Sequence, residues 1–265
     1  MPFPNAVYLL ALASLGSAAC SSTALPPLLR IEARNLRFTI PARISGGLTR
    51  VRLVNRDPVW HEASLIHFMD STSTLDSYLA AARAGNEYPA FARDIGGLSF
   101  LAPGDSADVL VDLEPGRYAV VCWHRDHVLQ GMGSTFAVVA HAGPSVAPGP
   151  STEVVLTDFS VPPLVPHPGH ELLHVTNIGP SEHELAILKL MPGKTYADFM
   201  AWRAAGEIGP APARSAAGTA ALRPGSEAWV DVTWTPGEYT LICLLEDSAG
   251  AYHADLGMRR AMVIR

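Results

Sequence analysis

Short segments in which apolar and polar residues alternate make up most of the chain, and this pattern is typical of half-buried β-strands. In one of them, Val51 and Leu53 fall on one face while Arg50 and Arg52 fall on the other. The pattern predicts six strands in the first half of the chain, with a loop at residues 96–104. These strands cover residues 31–40, 49–54, 62–68, 109–113, 117–122 and 134–140.

A helical period interrupts the strands once in each half of the chain. Leucine, tyrosine and alanine recur at i, i+3, i+4 and i+7, which predicts a short amphipathic helix over residues 74–83. Thr74 can cap its start and Gly85 can end it. Thr195 and Gly206 repeat this start and stop in the second half, so the same helix is expected there.

The second half of the chain repeats the motifs of the first half in the same order. Asn55 lies six positions before His61, and Asn177 lies six positions before His183. A Pro-Gly-x-Tyr turn also occurs in each half. The repeat predicts an all-β protein made of two tandem Greek-key β-sandwich domains, each with a short inserted helix. The predicted domains cover residues 28–140 and 151–265, and a Pro/Gly linker covers residues 141–150.

The N-terminal segment has the composition of an export signal. An apolar run at residues 6–19 is too short to span a bilayer and ends at Ala-Ala-Cys20. It resembles a bacterial lipoprotein signal, in which cleavage leaves the cysteine at the new N-terminus for lipid attachment. We therefore expect residues 1–20 to direct export and Cys20 to anchor the protein to a membrane, facing the periplasm or the cell exterior. A plain cleaved signal peptide is the alternative.

Composition and charge bear on which ligands the protein can bind and on the state of its cysteines. The 265 residues carry a formal net charge of -6 and have no basic cluster, which argues against nucleic-acid binding. Of the three cysteines, Cys122 and Cys243 occupy equivalent positions in the two repeats. A disulfide between them would have to bridge two domains, whereas a bound metal explains free thiols in an oxidising compartment more easily.

Each repeat carries one early histidine and, near its C-terminal end, a cysteine, a histidine and a methionine. Four residues separate the second histidine from the methionine in both repeats. Two imidazoles, a thiolate and a weak axial thioether form a ligand set that suits copper cycling between Cu(I) and Cu(II). A single residue of these types is commonly core or surface, but the ordered set occurs twice. The candidate ligands are His61, Cys122, His127 and Met132, then His183, Cys243, His253 and Met258.

Both repeats resemble the cupredoxins, the family of plastocyanin and azurin. The resemblance lies in the Asn-x₅-His motif, the Gly-x-Tyr strand that leads into the cysteine, and the closing loop that ends in Gly-Met. It implies a type 1 copper centre in each domain, up to two copper ions in all, and one-electron transfer. Two features depart from the small cupredoxins. Glu62 and Glu184 follow the first histidine and are expected to point outward or to meet a cation. The loop at residues 243–253 resembles the longer ligand loops of copper nitrite reductases.

The residues beside the cysteines bear on whether the protein is an enzyme. Two-domain copper oxidases and nitrite reductases relay electrons through histidines that flank the cysteine, but here the neighbours are Val121, Trp123, Ile242 and Leu244. This favours a protein that is not an enzyme. The leading hypothesis is a membrane-tethered one-electron carrier that exchanges electrons with a redox protein. A copper storage or delivery protein that holds Cu(I) for a copper donor or acceptor is the alternative, and an interaction module with degenerate sites is a third.

The remaining histidines receive weaker assignments. In the carrier hypothesis, His127 and His253 present solvent-side edges through which electrons enter and leave. His124 has no counterpart in the second repeat and is expected on the loop surface or in support of the site. His170 and His174 are expected on a solvated strand face, where a weak surface metal site is the alternative.

Overall fold

A computed structural model of the chain describes residues 26–86, 88–141, 148–149 and 151–265. The predicted signal segment with Cys20, and most of the predicted linker, lie outside the described residues. The first half contains strands β1 (Leu28–Ala33), β2 (Phe38–Thr39), β3 (Arg43–Ser45), β4 (Gly47–Asn55), β5 (His61–Phe68), β6 (Ala92–Leu101), β7 (Ser106–Leu113), β8 (Gly116–Val121) and β9 (Gly133–Val139). The second half contains β10 (Thr152–Leu156), β11 (Gly169–Asn177), β12 (His183–Leu190), β13 (Ala213–Leu222), β14 (Glu227–Trp234), β15 (Gly237–Ile242) and β16 (Arg259–Ile264).

These strands form two sheets, and each sheet draws strands from both halves. One sheet has the order β10-β11-β14-β7-β4-β1-β2, and the other has the order β16-β15-β12-β13-β6-β5-β8-β9-β3. Buried apolar side chains between the sheets form one continuous core that includes residues of both halves. The all-β prediction of two tandem sandwiches is confirmed, while the exact domain boundaries stay a prediction.

The two halves join by pairing each central strand with its own counterpart. Strand β6 pairs antiparallel with β13, where Leu98 lies opposite Thr219, and β7 pairs antiparallel with β14, where Val109 lies opposite Val230. Pairing of equivalent residues is the arrangement of a two-fold symmetric dimer. The halves are therefore related by a pseudo-two-fold axis, and strand edges that would otherwise be exposed are closed at the centre of each sheet.

The prediction of a loop at residues 96–104 is wrong, because β6 runs through most of this segment. Gly96 and Gly97 gave the loop signal, but in the structure they adopt positive φ angles inside the strand. A Cβ atom on Gly97 would lie 2.0 Å from the carbonyl oxygen of Ala63. Glycine is therefore required where β6 approaches the ligand strand β5, and the β5–β6 register shifts beside this point.

The strand predicted at residues 31–40 is divided by a tight turn. Asn35 and Leu36 have φ angles of 55° and 53°, and Arg34 and Arg37 exchange two backbone hydrogen bonds across them. Two consecutive positive φ angles are the geometry of a type I′ hairpin turn, which joins β1 to β2. Leucine is uncommon in this conformation, so contacts elsewhere must hold the turn in place.

Two helices, α1 (Leu75–Arg83) and α2 (Tyr196–Ala204), confirm the predicted insertions. Thr74 and Thr195 cap them as predicted, each accepting a hydrogen bond from the backbone N–H three residues on. Helix α1 packs within its own half, whereas α2 also contacts side chains of the first half. Neither helix is long and apolar enough to cross a membrane, within the part of the chain that the structure describes.

Candidate metal centres

The first centre lies where β5 begins and β8 ends. These strands are antiparallel neighbours, so His61 at the start of β5 meets Cys122, the residue after β8. The Sγ atom of Cys122 lies 3.6 Å from Nδ1 of His61 and 3.6 Å from Nδ1 of His127. The two Nδ1 atoms are 3.2 Å apart. All three side chains are buried, so the structure brings together three of the four ligands predicted for this half.

The second centre repeats this arrangement at the start of β12 and the end of β15. The Sγ atom of Cys243 lies 3.5 Å from Nδ1 of His253, and that nitrogen lies 3.2 Å from Nδ1 of His183. These side chains are also buried. Cys122 and Cys243 are both free thiols, so a disulfide between them is excluded in this structure.

The two methionines are fully buried beside these triads. The backbone N–H of Met132 donates to the carbonyl of His127 at 2.9 Å, and its carbonyl accepts the N–H of Cys122 at 3.3 Å. The corresponding distances for Met258 are 2.8 Å to His253 and 3.2 Å to Cys243. Each ligand loop therefore closes back onto its cysteine, which brings the methionine backbone to the other candidate ligands. Axial ligation by the two sulfur atoms stays a prediction.

The triads fit a copper ion. A metal bonded in one plane to two nitrogens at about 2.0 Å and one sulfur at about 2.3 Å holds those atoms about 3.5–3.7 Å apart. The observed separations of 3.2–3.6 Å in the first centre are close to this. A thiolate and two imidazoles with a nearby thioether form the set that accommodates both copper oxidation states. The donor chemistry thus identifies copper as the metal of both centres.

Burial governs the electrostatics of the first centre. It raises the pKa of the Cys122 thiol well above its usual value, and the nearby Glu62 carboxyl adds to the effect. Burial also lowers the pKa of His61 and brings that of His127 to about 4, so both imidazoles are neutral and able to bind metal near pH 7. The N–H of Glu62 lies 3.5 Å from Sγ of Cys122, where it can stabilise a thiolate.

The expectation that Glu62 and Glu184 point outward is wrong, whereas the alternative that they meet a cation is supported, because the Arg203 guanidinium lines the same cavity and acts to lower the pKa of both carboxyls. Both side chains are buried, and each accepts a hydrogen bond at 2.8 Å from the N–H of the residue after the ligand cysteine, Trp123 or Leu244. They line a cavity of about 470 Å³ between the halves. Burial raises the pKa of Glu62 to about 7, and burial together with Glu62 raises that of Glu184 to about 8.

Two aspartates that sequence reasoning missed hold the first histidine of each centre. Nε2 of His61 lies 2.9 Å from Oδ2 of Asp57, and Nε2 of His183 lies 2.5 Å from Oδ1 of Asp158. Asp57 precedes His61 by only four residues, so its position in the sequence could have suggested a contact with this candidate ligand. Asp158 lies far from His183 in sequence and gave none.

The structure also shows the burial and the partners of the remaining histidines discussed above. His124 is buried, not on the loop surface, and its Nε2 lies 3.0 Å from a carboxylate oxygen of Glu207 in the second half. His127 is only 6% exposed and His253 only 4%, so each imidazole presents only a small part of its ring to solvent. His127 still lines a groove of about 720 Å³ between the halves. His170 and His174 lie on a strand face as predicted, each paired with carboxylates.

No protein-family model matches the chain, and no curated protein matches it significantly. Among solved structures, it is similar to auracyanin A of Chloroflexus aurantiacus, described as a "blue" copper protein, with 20% identity over 43% of this chain and 99% of that chain and a TM-score of 0.31. It is also similar to the copper-containing nitrite reductase of Thermus scotoductus, with 13% identity over 90% of this chain and 61% of that one and a TM-score of 0.26. A multicopper oxidase of Pediococcus acidilactici gives 12% identity, 90% and 58% coverage, and a TM-score of 0.27.

Because these TM-scores are 0.31 or less, the identification depends on the strands and side chains of this chain. Its fold and donor sets define a two-domain, cupredoxin-like copper protein. The prediction that the protein is not an enzyme is contradicted, since the structures that match across both halves include a nitrite reductase and a multicopper oxidase. Missing His-Cys-His motifs could not decide the question, because metal ligands come together from distant positions, as His61 and Cys122 do here.

Proposed function

We propose that this is an exported protein that transfers electrons one at a time through a type 1 copper centre in each domain. The buried triad of two histidines and one cysteine, present twice with closely matching distances between the two imidazoles and between the cysteine and the second histidine, is the observation that carries the proposal. His61, Cys122, His127 and Met132 would hold one copper ion, and His183, Cys243, His253 and Met258 would hold the other. When bound, copper supplies the one-electron change between Cu(I) and Cu(II).

The surrounding strands suit this role because they fix the ligands before metal arrives. His61 and His183 begin central strands, and the cysteines follow strands that pair with them. Ligands that do not move between oxidation states allow fast electron transfer. The groove in front of His127 offers a redox partner an approach to the first centre, through a wall that includes Trp60 and Trp202.

Copper titration of the purified protein tests the proposal. We expect two copper ions per chain, an intense thiolate-to-Cu(II) visible band and reversible one-electron redox behaviour. Cys122→Ser and Cys243→Ser, made separately, are each expected to remove one ion and about half of the band. Tight Cu(I) binding without the band would favour storage or delivery instead. A protein without stoichiometric copper would leave only the interaction module.

Export and anchoring form a separate part of the proposal. It is supported by the apolar run that ends at Cys20. We expect the full-length protein in the membrane fraction, and Cys20→Ala in the soluble exported fraction or unprocessed. Equal fractionation of both proteins, with an intact residue 20 in the mature chain, would contradict lipid attachment.

A further inference from the structure

The contact between Asp57 and His61 is built into the fold of the first half. The Asp57 side chain is 5% exposed, and its carboxylate meets Nε2, the ring nitrogen that does not face Cys122. A carboxylate at this position accepts the Nε2–H hydrogen bond, so the lone pair of Nδ1 is free to bind metal. The contact therefore selects the tautomer that the centre needs.

The tight turn between β1 and β2 holds this carboxylate. The backbone N–H groups of Asn35 and Leu36 donate to its two oxygens at 2.5 Å and 2.9 Å. These two residues have the positive φ angles described above. This backbone conformation points both N–H groups at the Asp57 carboxylate. A buried charge is stable only when it is paired and hydrogen-bonded, and Asp57 has two amides and an imidazole as partners.

The second half makes the same contact from an unrelated position. Gly179 stands where the first half has Asp57, and the carboxylate comes instead from Asp158 in the loop after β10. A Cβ atom on Gly179 would lie 2.7 Å from Oδ1 of Asp158 and 3.0 Å from Nε2 of His183. The glycine therefore leaves the space that the second aspartate fills. Ser181 Oγ donates to Asp158 at 2.6 Å and fixes it there.

We propose that Asp57 and Asp158 are positioning residues that set the tautomer of the first histidine and lower the reduction potential of their copper centres. This rests on the proposed function, because it concerns the same two centres. A carboxylate hydrogen-bonded to a ligand imidazole makes it a stronger donor and stabilises Cu(II) over Cu(I). Asp57 acts more strongly, since Asp158 is 24% exposed and its charge is better screened by water. The two centres thereby receive unequal contributions to their potentials.

The repeat of the contact argues for a role beyond packing. An aspartate that only filled space or capped a turn would have no reason to recur on the same nitrogen when its sequence position changes. The first half uses the β4–β5 loop and the second uses the β10–β11 loop, yet both carboxylates reach Nε2. The two contacts share the ligand histidine, whereas the groups that hold each aspartate in place differ between the halves.

Reduction potentials measured one centre at a time test the proposal. Asp57→Asn is made in the Cys243→Ser protein, and Asp158→Asn in the Cys122→Ser protein. Loss of such a partner typically costs 10–100-fold in metal affinity. If Cu(II) binding weakens tenfold relative to Cu(I), the potential rises by about 59 mV. We expect a rise of at least this size for Asp57→Asn, a smaller rise for Asp158→Asn, and a shifted thiolate band in both.

Two further variants separate this role from general effects. Asp231→Asn is the matched control, because Asp231 pairs with Nε2 of His170 at 2.8 Å on the surface and touches neither centre. It is expected to leave both potentials unchanged. Gly179→Ala is expected to displace Asp158 and to raise the potential of the second centre alone. If Asp57→Asn and Asp158→Asn shift the potentials no more than Asp231→Asn does, the proposal is overturned while the copper centres stand.

A measurement on metal-free protein keeps the inference independent of copper. Nitrogen-15 shifts of the His61 ring are expected to show the Nε2–H tautomer in the wild type and a tautomer mixture in Asp57→Ala. The same pure tautomer in both proteins would overturn the positioning role. If the wild type shows this tautomer but gives no thiolate-to-Cu(II) band, the proposed function fails while the tautomer assignment holds.

Discussion

The ligand loops of the two centres are supported in different ways. In the first, one turn of 3₁₀ helix at His124–Asp126 separates Cys122 from His127, and Glu207 of the other half holds His124. In the second, the longer loop closes on itself, because the carboxylate of Asp247 accepts N–H groups two and four residues on. The first loop thus depends on the neighbouring domain, whereas the second is organised locally.

Helix α2 extends this one-sided support. Trp202 meets Trp60 of the first half edge to face at 5.8 Å, and the guanidinium of Arg203 lies over the ring of Phe100 at 5.0 Å. The equivalent positions of α1 are Ala81 and Ala82, whose short side chains have neither an aromatic ring nor a guanidinium for such contacts. The strands of the two halves are related by the pseudo-two-fold axis, but the contacts that helix α2 and Glu207 make with the first half are not. The two centres therefore have the same donors but depend on the domain interface to different degrees.

Of the substitutions that test this difference between the two centres, Glu207→Ala is expected to have the largest effect on stability and copper binding. His124 is buried and 97% covered, so Glu207→Ala leaves its Nε2–H without an acceptor. Loss of a hydrogen bond to a charged group costs about 1.5–3 kcal/mol of unfolding free energy. We expect that loss in urea unfolding, together with weaker copper binding at the first centre only, measured in the Cys243→Ser protein.

Asn86→Ala is the matched control, because Asn86 occupies the position after α1 that Glu207 occupies after α2, and it is exposed. It should change the unfolding free energy by less than about 0.5 kcal/mol and leave both centres intact. Equal losses of copper from both centres in Glu207→Ala would show that the hydrogen bond between His124 and Glu207 supports the whole interface and not the first loop.

Much of this fold was predictable because its signals are local. Alternation gave most strands, capping threonines gave both helices, and the ordered ligand types gave the two triads around His61 and His183. Gly96 and Gly97 misled because two glycines in a row signal a loop. Their actual cause is the close approach of β5, which is a tertiary contact that no local pattern contains.

The unpredictable part of each centre lies in residues that act across the fold. Asp158 reaches His183 only through the packing of two loops, and Glu207 reaches His124 only because the halves pair through β6 and β13. The buried state of Glu184 follows from the same interface. These contacts depend on how the domains join, and sequence pattern within one domain carries no information about that.

The interface carboxyls predict a pH dependence of the metal-free protein. Burial raises the pKa of Glu184 to about 8 from its usual 4.5, so the folded state holds this proton more tightly than the unfolded state. Its contribution to stability is therefore complete below about pH 4.5 and is lost as the pH rises towards 8. The buried histidines have lowered pKa values and act in the opposite direction, but only below about 6.5.

Between about pH 6.5 and 8, the free energy of unfolding should fall for the wild type and fall less steeply for Glu184→Gln. Urea unfolding at four pH values in this range measures the two slopes. Glu62→Gln is the counterpart, and its effect should end near pH 7, where the raised pKa of Glu62 lies. Parallel slopes for the wild type and Glu184→Gln would show that this carboxyl does not titrate in the window.

The smallest effect on the free energy of unfolding is expected for two equivalent ion pairs, one on the outer face of each half. Arg52 pairs with Asp108 through two contacts of 2.6 Å, and at the equivalent position His174 lies between Glu153 and Glu227 while stacking on Trp229. Burial lowers the pKa of His174, but the two carboxylates outweigh it, so the pKa is raised overall.

A raised histidine pKa means that this stabilisation is present below about pH 6.5 and is lost as the pH rises through the folded-state pKa. Surface ion pairs contribute about 0–1 kcal/mol. His174→Ala should therefore cost more unfolding free energy at pH 5.5 than at pH 8.5, whereas Arg52→Ala should cost the same at both because arginine stays charged. If the cost of His174→Ala does not change with pH, stacking on Trp229 and not the ion pairs accounts for its contribution.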